Sequence, residues 1–156
     1  MRTAAVCIDD LPQWAEPEKE NHMSRMLFVN LPIKNLDATK MFFAGLGFEF
    51  NTTFSDDSCT AMVINEYTSV MLLVESRFKG FIEGGICDTS KSVEALMCIS
   101  ADSREEVDSL VDKALASGGT SWGKLQDEGF MYGRAFRDLD GHVWEVMWMD
   151  PAAVPA

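Results

Sequence analysis

Asp138-Leu139-Asp140-Gly141-His142-Val143-Trp144-Glu145, continuing as Val146-Met147-Trp148-Met149, is the stretch that decides how this chain folds. Asp140-Gly141 is its strongest hairpin signal, because a glycine after an aspartate takes up the positive φ of a tight turn between strands. The pair divides two apolar, alternating stretches, Met131 to Asp138 and His142 to Met149, which are expected to be strands. Alternation puts Val143, Glu145 and Met147 on one face of the second strand and Trp144, Val146 and Trp148 on the other. The tryptophans suit a core beneath helices. A lone carboxylate within an apolar strand needs a partner, a raised pKa or a role, so Glu145 is either a site residue or a salt-bridge partner of Arg134. Tyr132, Arg134 and Phe136 share one face of the preceding strand and offer a cleft a hydroxyl, a cation and a ring.

Working outward, the same order of elements occurs twice. In the second half, Val93 to Ala101 is a strand and Ser103-Arg104-Glu105-Glu106 has the form of a capping box. The helix that follows buries Val107, Leu110, Val111, Ala114 and Leu115 and ends at Gly118-Gly119. Strands near Thr120 to Leu125, Met131 to Asp138 and His142 to Met149 complete it. In the first half, Arg25 to Ile33 is a strand, and Asn35 or Asp37 caps a helix to about Leu46. Phe48 to Thr52, Cys59 to Asn65 and Ser69 to Glu75 follow as strands. The expectation is an α+β fold of two tandem βαβββ modules, residues 25–75 and 93–149, within one domain spanning 24–150. Residues 76–92 link them and carry Phe78, Phe81 and Ile82, as a lid over a pocket or as a linker packing its own aromatics. Residues 1–23 are expected to be a polar leader outside the core, with Met23 a candidate natural start, and residues 151–156 a short tail.

The chain has 156 residues, enough for one domain, and its 13 basic and 25 acidic residues give a net charge of −12. That charge argues against nucleic acid and anionic membrane surfaces as partners and favours cationic or neutral ones. No apolar run approaches the roughly 20 residues of a membrane span. Of Cys7, Cys59, Cys87 and Cys98, none forms a Cys-x-x-Cys pair, and a reducing, cytoplasmic setting is expected. The two histidines are His22, in the leader, and His142, after a turn and expected at the surface. One domain histidine leaves any two-histidine metal site short of ligands.

Phe28-Val29-Asn30-Leu31-Pro32-Ile33-Lys34-Asn35-Leu36, with Phe42-Phe43 and Leu46-Gly47-Phe48, resembles the opening of a vicinal-oxygen-chelate module, and Asp138 to Glu145 resembles its closing hairpin. That superfamily includes glyoxalase I, bleomycin-resistance proteins and extradiol dioxygenases. The resemblance covers roughly residues 24–150. It implies a curled mixed sheet around a cleft and a homodimer. In the family's metal enzymes four strand positions face a divalent ion. Here Glu145 stands in one of them, while Phe28, Leu96 and about Leu72 stand in the others. Zinc, nickel, manganese or iron is therefore weakly supported, with Glu145 the metal ligand if one binds, and an extradiol dioxygenase is disfavoured.

The leading expectation is a glyoxalase/bleomycin-resistance-like protein that holds a small, cationic or aromatic molecule in an apolar cleft without a tightly bound metal. The ligand-binding candidates are Phe28, Asn30, Leu96, Tyr132, Arg134, Phe136 and Met147, with Glu145 the candidate catalytic group. The enzyme alternative is a divalent-metal lyase or isomerase of the lactoylglutathione-lyase type using Glu145. A third reading is a partner protein with a vestigial cleft and the 76–92 segment as its contact surface.

Overall fold

A computed structural model describes residues 25–153; the expected leader, with Cys7 and His22, and residues 154–156 lie outside the described residues. Strand β1 (Leu27–Ile33) leads into helix α1 (Leu36–Leu46) and strands β2 (Glu49–Asp56), β3 (Cys59–Val63) and β4 (Thr68–Val74). A one-turn helix, α2 (Glu75–Phe78), begins the link. The order then repeats as β5 (Leu96–Ser100), α3 (Arg104–Ala116), β6 (Thr120–Asp127), β7 (Met131–Arg137) and β8 (Val143–Met149). This is the α+β fold of two βαβββ modules. Each module forms its own four-stranded sheet, ordered β1-β4-β3-β2 and β5-β8-β7-β6. The mixed sheet that the resemblance implied is divided between the modules, each half ending on the first strand of its module.

Local chemistry sets the element ends. Asn35 Oδ1 accepts from the Ala38 amide (2.9 Å) and starts α1. Gly47, at φ 104°, ends it in a conformation a side chain would disfavour. Ser103 Oγ accepts from the Glu106 amide (3.1 Å), while the Glu106 carboxylate reaches back to the Asp102 amide (2.6 Å). Strand β5 begins at Leu96, three residues after the expected start. Its only ladder partner is the parallel β8, which itself begins at Val143 opposite Leu96.

The helix-bearing faces of both sheets share one core. Leu31, Ile33, Val70 and Leu72 come from the first sheet, and Phe136, Trp144 and Val146 from the second. Phe42 and Phe43 of α1 and Val107, Val111 and Ala114 of α3 fill the space between them. Phe43 sits at the centre. Its ring centroid lies 5.0 Å from Phe42, 5.2 Å from Trp144 and 5.9 Å from Phe48, all edge-to-face. The faces of the sheets opposite the helices stay outside this core, and those faces carry Glu145.

Candidate functional site

Glu145 occupies the middle of a row that crosses the second sheet. Cys98 of β5 pairs with it on one side and Ala135 of β7 on the other, and Trp122 of β6 pairs with Ala135. The row toward the strand ends is Ser100, Met147, Gly133 and Gln126; the row on the other side is Leu96, Val143, Arg137 and Thr120. A cavity of about 220 Å³ opens on this face, with Trp122, Lys124, Gln126, Glu145 and Met147 among its walls. The Cys98 thiol faces Glu145. Partial burial and the carboxylate charge both push its pKa up, so it stays protonated at neutral pH. The Arg137 guanidinium lies over the Trp122 ring, 4.0 Å from its centroid. Sequence reasoning passed over Trp122, Lys124 and Arg137. Alternation groups Arg137 with Ala135 and Gly133, but only the loop length at 139–141 sets that group on the Glu145 side of β7.

The structure separates Tyr132, Arg134 and Phe136 from Glu145. They pair with Trp148, Val146 and Trp144, on the helix face. Phe136 is fully buried. Tyr132 Oη donates to the Asp108 carboxylate (2.9 Å), and Arg134 reaches Asp108 (2.7 Å) and Asp112 (2.9 Å) on α3. That Arg134 bonds those aspartates also removes it as a partner for Glu145. The reason is the length of the turn. The Asp138 amide donates to the His142 carbonyl (3.0 Å), so the loop holds the three residues 139–141 with Gly141 at φ 86°. A two-residue loop centred on Asp140-Gly141 would pair Leu139 with His142, and this single-residue change exchanges the two faces of β7.

Phe28 and Asn30 are exposed on the face of β1 opposite the helices, with Asn30 bonded only to the nearby Phe28 carbonyl (3.3 Å). Neither lines the Glu145 cavity. Leu96 lines a larger, separate crevice of about 790 Å³ at the seam between β1 and β5, whose walls include Val29, Phe48, Met97 and Leu110. Of the expected site residues, Glu145, Met147 and Arg134 border the Glu145 cavity, Arg134 with its guanidinium turned to the aspartates of α3.

His142 is not at the surface; it is 1% exposed and joins the two modules. Its Nε2 meets the Pro32 carbonyl (2.7 Å), an oxygen without a proton, so Nε2 carries the hydrogen and donates it. Its Nδ1 pairs with the Glu94 carboxylate. Burial disfavours the imidazolium, but Asp138, the Pro32 carbonyl and Glu94 together outweigh it and raise the pKa above its ordinary value. Around it, Asp138 accepts from the amides of Asp140 and His142 (3.0 Å each) and from Trp144 Nε1 (3.0 Å). Asp140 accepts from the Lys34 amide (2.9 Å) and from Thr39 Oγ1 (3.3 Å). The closing hairpin is thus a latch inserted into the end of β1 and the start of α1. The 76–92 segment is tied to the same latch, since Thr89 Oγ1 donates to the Asp140 carbonyl (2.7 Å). None of its residues lines the Glu145 cavity.

The resemblance implies a divalent ion, and the donors near Glu145 do not fit one. Cys98 is a thiol held protonated, and His142, on the opposite face of β8, has both nitrogens engaged. Among the described residues no three His, Cys, Asp or Glu side chains gather as a ligand set.

A model of the Glyoxalase/Bleomycin resistance protein/Dioxygenase superfamily matches residues 25–146. None of the curated proteins is detectably similar in sequence. Among solved structures, a hypothetical protein from S. aureus is 25% identical, with a TM-score of 0.69 over 81% of this chain and 94% of that one. A glyoxalase/bleomycin resistance protein/dioxygenase family enzyme from Burkholderia phytofirmans PsJN is 16% identical, with a TM-score of 0.66 over 81% and 99%. The fosfomycin resistance protein FosX from Listeria monocytogenes is 17% identical, with a TM-score of 0.57 over 81% and 93%. Two βαβββ modules, a closing Asp-x-Asp-Gly hairpin and a carboxylate on the last strand agree with the family model: the chain belongs to the Glyoxalase/Bleomycin resistance protein/Dioxygenase superfamily.

Proposed function

We propose that the chain binds a small molecule on the outer face of β8, against Glu145, Trp122 and Met147, as a homodimer and without a resident metal ion. The observation that carries this reading is the convergence of Trp122, Lys124, Gln126, Glu145 and Met147 on one cavity. An aromatic and a thioether wall with a few polar groups is the usual make-up of a ligand pocket. Its volume of about 220 Å³ falls short of the roughly 300–1,000 Å³ of such pockets, which favours a second copy completing it.

Support for the homodimer comes from β1 and β5. Each ends its sheet with one edge unpaired, and Leu27, Phe28 and Leu96 on them are 58%, 46% and 57% exposed. Unpaired strand edges carrying exposed apolar side chains are pairing surfaces. No helix among the described residues is long and apolar enough to cross a membrane. Cys59, Cys87 and Cys98 are free thiols, which suits the cytoplasm as the site of action.

A thermal-shift screen of small molecules tests the reading. At least one compound is expected to raise the melting temperature as its concentration rises, and the shift should shrink in Trp122→Ala and Glu145→Gln. A screen without a single concentration-dependent shift would refute it. Stoichiometric zinc, nickel, manganese or iron in metal-exchanged protein, measured by elemental mass spectrometry, would put the lyase or isomerase reading in its place.

A further inference from the structure

Arg137 is half-buried and its interactions are unfinished. Its guanidinium carbon lies over Trp122, 4.0 Å from the ring centroid. A cation–π contact engages the charge of the guanidinium with the ring and uses none of its N–H groups as conventional hydrogen-bond donors. Among the described residues no carboxylate pairs with it, although acids outnumber bases 25 to 13 in the chain. Its Nε is buried and without an acceptor, the only side-chain nitrogen or oxygen among the described residues in that condition. Arg77, Arg104 and Arg134 each find an aspartate.

The position of this cation matters. Arg137 pairs with Val143 and lies on the Glu145 face, one row from Glu145, at the diagonal spacing of about 7–8 Å between facing strands. Trp122, on which it stacks, is a wall of the Glu145 cavity, and Lys124 is another. Two cations and one carboxylate therefore share this patch. The net charge of −12 pointed to cationic ligands, but screening limits a charge to about one Debye length, roughly 8 Å, so the cations on this face bear on a bound ligand more than the chain total does.

We propose that Arg137, held by Trp122 and assisted by Lys124, anchors an anionic oxygen group of the ligand, a carboxylate, phosphonate or phosphate, while a hydroxyl or N–H of the same ligand donates to Glu145. A planar guanidinium edge matches a pair of anionic oxygens. Glu145 would repel a bare anion but accepts from a neighbouring donor, so the two residues together select a ligand that carries both groups. The proposal rests on the small-molecule reading above and narrows it to a chemical class.

Three probes of one shape separate the possibilities: benzoate, benzamide and benzamidine, which are anionic, neutral and cationic. The readout is the Trp122 indole N–H cross-peak in ¹H–¹⁵N spectra, assigned with Trp122→Phe. Benzoate is expected to move it saturably and benzamidine to leave it unmoved. Arg137→Gln should weaken benzoate about tenfold or more, the worth of a lost charge-assisted hydrogen bond, and Arg137→Lys should weaken it less. Lys124→Ala, on an exposed side chain, gives a second, milder loss in a protein whose core is untouched. Benzamide or benzamidine binding as well as benzoate, or benzoate binding equally to Arg137→Gln, overturns the anionic class and leaves the small-molecule reading standing. If none of the three moves the indole signal, the anionic anchor falls, and the small-molecule reading stands or falls on the thermal-shift screen.

Discussion

Replacing Glu94 with glutamine separates the charge of the latch from its shape. In the parent protein both imidazole nitrogens of His142 face acceptors, the Pro32 carbonyl and the Glu94 carboxylate, and the ring is 1% exposed. That arrangement holds a proton on each nitrogen and raises the His142 pKa above 6.5 despite burial. Between about pH 6.5 and the raised folded value, the folded chain binds one proton more than the unfolded chain. Stability then falls with rising pH by about 1.4 kcal/mol per unit and levels off above the folded pKa. Glu94 moves the other way. Burial pushes its carboxyl up, but the bond from His142 outweighs that and the pKa lies below 4.5, so its contribution is present above about pH 4.5 and fades as pH falls through the folded value. The ion pair is thus complete between about pH 4.5 and 6.5. Asp138, pushed up by burial, also faces the imidazolium but is common to both proteins. In Glu94→Gln the carboxylate charge is gone, so the His142 pKa falls toward its ordinary value, with Asp138 and the Pro32 carbonyl still favouring the imidazolium. Near pH 6 the variant should lose roughly 1–3 kcal/mol, the difference made by a charge-assisted bond, and its stability should slope over a narrower range above about pH 6.5 than that of the parent. Urea unfolding of both proteins across that range measures it. Parallel pH profiles would refute Glu94 as a holder of that charge, and a parent profile flat above about pH 6.5 would refute the charged His142.

Two further substitutions probe how the modules are held. Phe43→Ala removes the ring that contacts Phe42, Phe48 and Trp144 at full burial, and guanidinium unfolding should show a loss of about 3–5 kcal/mol. Gly119→Ala would set a methyl group 2.9 Å from the carbonyl oxygens of both Ala114 and Arg137, backbone atoms that cannot swing aside. About 1–3 kcal/mol should be lost, seen as a lower melting temperature, and an unchanged one would show that the turn shifts freely.

The elements themselves were legible because each carries its own local chemistry. The Ser103 and Glu106 pair, the Asn35 cap and the alternation of β8 are contacts within a few residues, and they stand as expected. The site was less legible because it depends on how strands align. Trp144 and Glu145 were placed on opposite faces correctly, yet β7 was matched to the wrong face, since that choice rests on one residue of loop length at 139–141. His142 was misplaced for a different reason. Its partners Pro32 and Glu94 lie 110 and 48 residues away, and no local pattern marks a histidine that a distant carbonyl will bury. Arg137 was invisible to a reading of charge along the chain, because what sets it apart is the carboxylate it lacks in space.

The latch also sets a sequence of events during synthesis. The first sheet is complete once residue 74 has left the ribosome, since its four strands pair only with one another. The second cannot begin in the same way. Strand β5 emerges early but has β8 as its sole neighbour, and β8 starts at Val143. Until then β5 waits with both edges bare, and the Pro32 carbonyl and Lys34 amide of the finished first module have no partner but water. The last dozen residues of the domain close both modules in one step, so a nascent chain halted before them is the form of this protein most exposed to mispairing with another copy.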